Sequence, residues 1–299
     1  MSNKSESAIF INGKKLQMSY PQFNGGERNV RIPSDYVNKT GFKIHDSEVY
    51  ALIFDSNAAM DLLLVCDALR RMGSSISTLT IPYFPYARQD RVCNVGESHS
   101  LKVFCSLVNS IGAKEVVVYD AHSSVVEALL DNPVIVSQEE LVSLILSSND
   151  DYENMTTSSE NLPVEFLKYT RDVVVISPDG GAIKKAASVA KSCVNGRLEI
   201  AGKIRDVVEG QITGVFFNPS NSIDGKNCLI PDDIADKGMS FFYLSKKIKD
   251  SHSPENLGLL VSHGLFVDGC DKLYETLDDI FCFDYTDPNK LKIVRLEGV

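Results

Sequence analysis

With 299 residues, 43% of them hydrophobic and 23% charged, the chain has the length for two domains and the composition of a globular protein. No apolar run reaches the roughly 18 residues of a membrane span, and the polar opening MSNKSESAIF lacks the apolar segment of a secretory signal. A formal charge of −10 opposes non-specific attachment to nucleic acid or anionic membranes, yet small anions can still be held by local lysines, arginines and backbone amides.

Taken in chain order, SAIFING predicts a strand, AMDLLLVCDALRRMG a helix ending at glycine, STLTIPYF a strand, SLKVFCSLVNSIGA a helix and KEVVVYD a further strand. SQEELVSLILSSN predicts a helix opened by a capping box from Ser137 to Glu140. The polar run SSNDDYENMTTSSENLP then predicts a connection. After it the pattern restarts: DVVVIS, the helix IKKAASVAKSCV, the strands RLEIAGKI, ITGVFF and KNCLI, the helix SFFYLSKKIKD, and the strand NLGLLVSHGLF. Such alternation is that of βαβ units, so the expected fold is α/β, with parallel-type sheets flanked by helices in two halves, residues 1–148 and 149–299. The seven cysteines (Cys66, Cys93, Cys105, Cys193, Cys228, Cys270 and Cys282) are scattered, with no C-x-x-C pair. They predict reduced, cytoplasmic side chains and neither a disulfide framework nor a zinc site.

In open parallel sheets, chemistry gathers at the carboxyl ends of strands. Polar clusters fall at five such ends: Arg88, Gln89, Asp90 and Arg91; Asp120 and His122; Asp179; Asp232, Asp233 and Asp236; and His263. Each has a plainer alternative. Asp90 and Arg91 can be a structural ion pair, His122 a core histidine, and Asp236 or Ser240 a helix cap. The adjacent Asp232 and Asp233 are expensive at the end of a buried strand unless a metal, a sugar or an amide nest takes up their charge.

Several stretches, in order, carry a family likeness. FNGGERNVRI (23–32), IPYFPYARQDR (81–91), GESHSLKVF (96–104), YDAHS (119–123), SPDGGAIKKA (177–186), GKIRD (202–206) and PDDIADKGMS (231–240) resemble the motifs of ribose-phosphate diphosphokinases, the PRPP synthetases. The resemblance covers nearly the whole chain. It implies two tandem type I phosphoribosyltransferase-like domains and a homo-oligomer in which a neighbouring subunit shares the active site. It also implies transfer of the β,γ-diphosphoryl group of ATP, as its Mg2+ complex, to the anomeric hydroxyl of ribose 5-phosphate, releasing AMP. By the same resemblance Lys203 and Arg205 are catalytic; Phe23, Glu27, Arg88, Gln89, Asp90 and His122 bind ATP; and His122 and Asp179 attend the metal. Asp179, Asp232, Asp233, Asp236, Lys237, Gly238, Met239 and Ser240 then bind the ribose phosphate. Asp232 and Asp233 suit sugar hydroxyls as carboxylate acceptors, and the amides from Asp236 to Ser240 suit phosphate at a helix N-terminus.

The family loop reads Asp-Asp-x-x-Asp-Thr-Gly-Gly-Thr, and here Lys237, Met239 and Ser240 replace the first Thr, the second Gly and the last Thr. A lysine brings a long mobile cation, and a methionine brings bulk. Two further readings follow: an ADP-ribose acceptor, whose second phosphoryl group Lys237 could reach, in NAD salvage; and a regulatory subunit that keeps the fold without catalysis.

Overall fold

The structure is a computed structural model that describes residues 7–15, 18–33, 46–148, 159–205 and 212–296, with Arg205, Ile212 and Thr213 described by backbone alone. Two compact units are present, each with its own buried apolar cluster. The first runs through Ser137 and takes back Tyr285–Asn289; the second holds Gln138–Asp284 and the chain from Lys290. The division therefore falls at 137/138, about ten residues before the expected 148/149. The reason is the helix beginning at Gln138, whose apolar stripe packs against a helix of the second unit.

The first unit contains β1 (Ala8–Ile11), β2 (Lys14–Lys15), β3 (Asp46–Leu52), α1 (Ser56–Arg71), β4 (Ser75–Ile81), α2 (Ser100–Ser110), β5 (Glu115–Tyr119), α3 (Val125–Leu129) and β6 (Pro133–Val136). Its sheet has the order β2-β1-β3-β4-β5-β6, parallel from β3 to β6 and antiparallel at β1 and β2. Helix α1 shows how the sequence builds such a unit. Asp55 caps it, accepting the Ala58 amide at 2.9 Å. Ala58, Leu62, Val65, Cys66 and Leu69 form the stripe that it buries, and Arg70 and Arg71 complement its C-terminal dipole.

The second unit contains α4 (Gln138–Ser147), a 3-10 turn (Val164–Tyr169), β7 (Val174–Ser177), α5 (Ile183–Ser192), β8 (Arg197–Arg205), β9 (Ile212–Phe217), β10 (Asn227–Ala235), α6 (Met239–Ser251), β11 (Asn256–Gly264), α7 (Asp271–Tyr274), β12 (Asp279–Asp284) and β13 (Lys292–Arg295). Its order is β13-β12-β11-β10-β7-β8-β9, parallel except for the edge strands β9 and β13. From β7 the chain winds one way through β8 and then the other way through β10, β11 and β12. This reversal makes the β7/β10 boundary a topological switch point, where open α/β sheets bind ligands. The parallel strands of the first unit follow in sequence order and have no such reversal. Among the described residues no helix is long and apolar enough to cross a membrane.

A buried charge ties the edge of the second sheet together. Asp279, its side chain 2% exposed, meets Lys168 at 2.6 Å and Arg295 Nε at 2.7 Å, and accepts the Tyr169 hydroxyl at 2.7 Å. Burial alone would raise its carboxyl, but the bonds from Lys168, Tyr169 and Arg295 outweigh burial and hold it below the ordinary carboxylate range. Asp279→Asn should cost about 2–4 kcal/mol by orphaning this network. Because the folded carboxyl is depressed, its contribution is complete above the ordinary carboxylate value and is lost as pH falls through the lowered one. Acid titration of thermal stability should therefore be flatter in the Asn variant, which calorimetry would show.

Candidate active site

The switch point gathers most of the expected acceptor residues at three strand ends. After β7, Asp179 Oδ1 accepts the amides of Gly181 at 2.8 Å and Ala182 at 3.2 Å, at the threshold of α5. Its other oxygen pairs with Lys203 on β8. Burial pushes the Asp179 carboxyl up, but the bonds from Lys203 and the two amides prevail and keep it below its usual value. Lys203, proposed from sequence as a catalytic cation, is thus held by a carboxylate of its own unit. Arg205 ends the same strand, its side chain outside the described residues.

The hairpin of β8 and β9 supports Lys203 from behind. Gly202 lies opposite Phe216 and Lys203 opposite Val215. The Phe216 ring covers Gly202 so closely that an added Cβ would run into it, which accounts for a glycine there. Neither this ring nor its role was legible in the sequence, since the pairing spans a segment whose length says nothing of register.

Strand β10 runs further than KNCLI suggests, carrying Asp232 and Asp233 into its last turn of pleat and ending at Ala235. Beyond Leu229 its register with β7 stops, whereas pairing with β11 continues through Asp232, Ile234 and Ala235. The Asp233 amide donates to Asp232 Oδ1 at 2.9 Å. Burial first, and then the charge and side-chain hydrogen bonding of Asp233, push the Asp232 carboxyl well above its ordinary value, with the Asp233 amide and Lys185 partly offsetting them. His263, beside Ile234 on β11, is buried.

The loop from Asp236 to Ser240 leads into α6, which starts at Met239, one residue earlier than predicted. Gly238 stands at its N-cap with φ 73°, a left-handed conformation, and a Cβ there would lie 2.7 Å from Leu273 Cδ1. Met239 is half-buried against the second core, so packing takes up its bulk. Ser240 is half-buried in the first turn of the helix. Lys237 is 65% exposed and 3.4 Å from Asp268, an equally exposed partner. Such a pair contributes little to stability and leaves the ammonium free to exchange partners.

The expected nucleotide set lies in the first unit. Phe23 and Glu27 occupy the tip of a short antiparallel turn, with the Phe23 amide donating to the Glu27 carbonyl at 2.8 Å and bridges at Gln22–Arg28 and Ser19–Arg31. Phe23 is 57% exposed. The turn is anchored by Arg28, whose guanidinium makes two bonds, 2.7 and 2.6 Å, to the buried Asp61 of α1. Burial beside Asp61 pushes the neighbouring Tyr20 hydroxyl up to about 12. Arg28 and Asp61 escaped sequence reading because 33 residues separate them. Arg88 and Gln89 are exposed after the left-handed Tyr86. Asp90 is engaged twice by Arg91, at 2.7 and 3.0 Å, and once by the Ser123 hydroxyl at 2.7 Å. These bonds, Arg91's first, hold its carboxyl far below the usual range. The ion pair left open by the sequence is therefore formed, inside the same loop cluster as the exposed His122.

A model of the N-terminal domain of ribose phosphate pyrophosphokinase matches residues 8–112. Ribose-phosphate pyrophosphokinase of Mycoplasma pneumoniae is 29% identical over 267 residues, covering 85% of this chain and 71% of that protein. The one from Cereibacter sphaeroides is 30% identical over 219 residues, covering 72% and 57%. Over most of its length the chain is similar to the ribose-phosphate pyrophosphokinases, a likeness that supports an enzyme of that type. The phosphoribosylpyrophosphate synthetase of Mycobacterium smegmatis shares the fold, with a TM-score of 0.66 at 22% identity over 90% of this chain and 80% of that one.

Gly238→Ala should strain the left-handed N-cap and press on Leu273, costing about 1–2 kcal/mol. Met239→Gly, which restores the family residue, should also lower the melting temperature, because it removes core packing and adds chain freedom. Thermal denaturation of the two variants checks both statements.

Proposed function

We propose that this enzyme transfers the β,γ-diphosphoryl group of Mg-ATP to the anomeric hydroxyl of ribose 5-phosphate, releasing AMP. The observation that carries the reading is the gathering of Asp179, Lys203 and the Asp232–Asp233 pair at the switch point of the second sheet. Displacement at phosphorus needs positioning and cations where charge spreads, more than it needs covalent chemistry. Lys203 supplies such a cation on a braced hairpin. Asp232 and Asp233 accept hydrogen bonds from the ribose hydroxyls, and this relieves the mutual repulsion of the pair. The first amides of α6, which follow the left-handed Gly238, receive the 5-phosphate. In the first unit the exposed Phe23 ring offers a stacking face for adenine, with Glu27, Arg88, Gln89 and Asp90 as its polar neighbours.

Magnesium fits the donor chemistry, because hard cations take carboxylate oxygen and keep places for phosphate and water. Among the described residues no three His, Cys, Asp or Glu side chains group as a metal cage. Asp179 and His122 are the residues proposed to attend it. The ion supplies neutralisation of the triphosphate when bound.

A second acceptor, ADP-ribose, is favoured by one observation: Lys237 is exposed at the loop and, among the described residues, makes a weak pair with Asp268. The same transfer would then give ADP-ribose 1-pyrophosphate, a product suited to NAD salvage.

The test is to supply Mg2+ and ATP with ribose 5-phosphate, ADP-ribose, or both in competition, and to follow AMP and the pyrophosphorylated product by mass. Ribose 5-phosphate should be turned over, and Lys203→Ala should lower that rate about 10²–10³-fold. Lys237→Ala should weaken ADP-ribose relative to ribose 5-phosphate; an unchanged preference would remove the case for the second acceptor. A folded protein that releases no AMP with either acceptor and magnesium present would instead point to the regulatory role.

A further inference from the structure

Helix α4 buries the stripe Gln138, Leu141, Val142, Ile145 and Leu146, spaced as a helix face should be. Four of the five are aliphatic and the first is a glutamine, 1% exposed, where the pattern calls for another apolar residue. Its side-chain Nε2 donates to the backbone carbonyl of Asp232 at 2.7 Å and to Ser262 Oγ at 3.0 Å. Ser262 is itself fully buried on β11. The Gln138 Oε1 is buried without a hydrogen-bond partner among the described residues. A leucine or methionine would fill the position without that orphaned acceptor, so packing alone does not account for the amide.

Its two bonds meet at the one stretch of β10 that the sheet leaves least supported. The register of β10 with β7 ends at Leu229, and the acidic pair follows three residues later with β11 alone as its strand neighbour. Two carboxylates on consecutive residues repel, and the backbone that bears them must resist twisting apart. An amide that grips Asp232 and β11 together supplies that resistance and carries no charge of its own.

We propose that Gln138 is a positioning residue for the acceptor: it locks the main chain at Asp232, and so sets the direction in which Asp232 and Asp233 present their oxygens to the ribose hydroxyls. This rests on the reading of that pair as the sugar-binding group. Gln138 touches no substrate and acts through Asp232 and Ser262.

The variants are Gln138→Met, which keeps the volume and removes the donor, Ser262→Ala, which removes the second anchor, and the double variant. Steady-state kinetics would separate the KM for ribose 5-phosphate from that for ATP, and calorimetry without ATP would give the Kd of ribose 5-phosphate directly. Gln138→Met should raise the acceptor KM and Kd about tenfold and leave the ATP KM within about twofold. Ser262→Ala should produce a smaller shift of the same kind, and the double variant should be no worse than Gln138→Met. Equal changes in both KM values, or an unchanged acceptor Kd in a variant that melts like the wild type, would overturn the inference. Should Gln138→Met fail to fold, Ser262→Ala decides: an acceptor Kd that it leaves unchanged counts against the proposal. If the wild type binds neither ribose 5-phosphate nor ADP-ribose, the reading of the acidic pair fails, and the role of Gln138 with it. Binding in the wild type that Gln138→Met leaves unchanged overturns only the latter.

Discussion

Two carboxylates on consecutive residues, at the end of the largely buried strand β10, are costly to hold unaided, and several parts of the second unit bear on them. Burial raises the Asp232 carboxyl and Asp233 raises it further, so the pair resists holding two charges unaided. Lys185 on α5 partly offsets the field, β11 continues the ladder past the point where β7 stops, and the Gln138 amide grips the main chain.

Sheet order decides where that site can be. In the first unit the parallel strands succeed one another in sequence, and its candidate residues ride on loops and on an anchored turn. In the second the winding reverses between β7 and β10, the kind of boundary at which open α/β sheets bind ligands. Asp179 and Lys203 stand at the ends of neighbouring strands β7 and β8, while Asp232 and Asp233 stand at the end of β10 on the other side of β7. One acid pair, one acid–base pair and a helix N-terminus are thereby assembled from segments spread between Asp179 and Met239.

How much of this the sequence disclosed follows from the range of each interaction. Strand and helix alternation is local, so β5, β7, α1 and α6 were readable from periodicity and glycine stops, as were the polar clusters at their ends. Strands β3, β6, β12 and β13 were not picked out. They are short or irregular in pattern, and β13 is an antiparallel edge that only its partner defines. The reach of β10 through Asp232 and Asp233 was hidden because two charged residues argue against a strand until β11 is known to lie beside them. Long-range pairs were out of reach altogether. Arg28 with Asp61, Phe216 over Gly202, and Gln138 with Asp232 join residues whose separation carries no signal. Gln138 even looked ordinary, as one polar residue in the opening of a capping box. The departures in the acidic loop were legible as substitutions, but only packing shows that Met239 turns into the core while Lys237 stays in solvent.

One consequence of the Asp179 contacts bears on how an anion enters. Two backbone amides at the threshold of α5 and the ammonium of Lys203 surround a single carboxylate, so the protein carries its own resident anion there. Lys203 is neutralised locally by Asp179, so within a chain of charge −10 it does not act as a bare cation toward distant anions. For Lys203 to engage a phosphoryl group, one negative partner must be exchanged for another. Such an exchange releases few counterions, so this step should respond weakly to ionic strength.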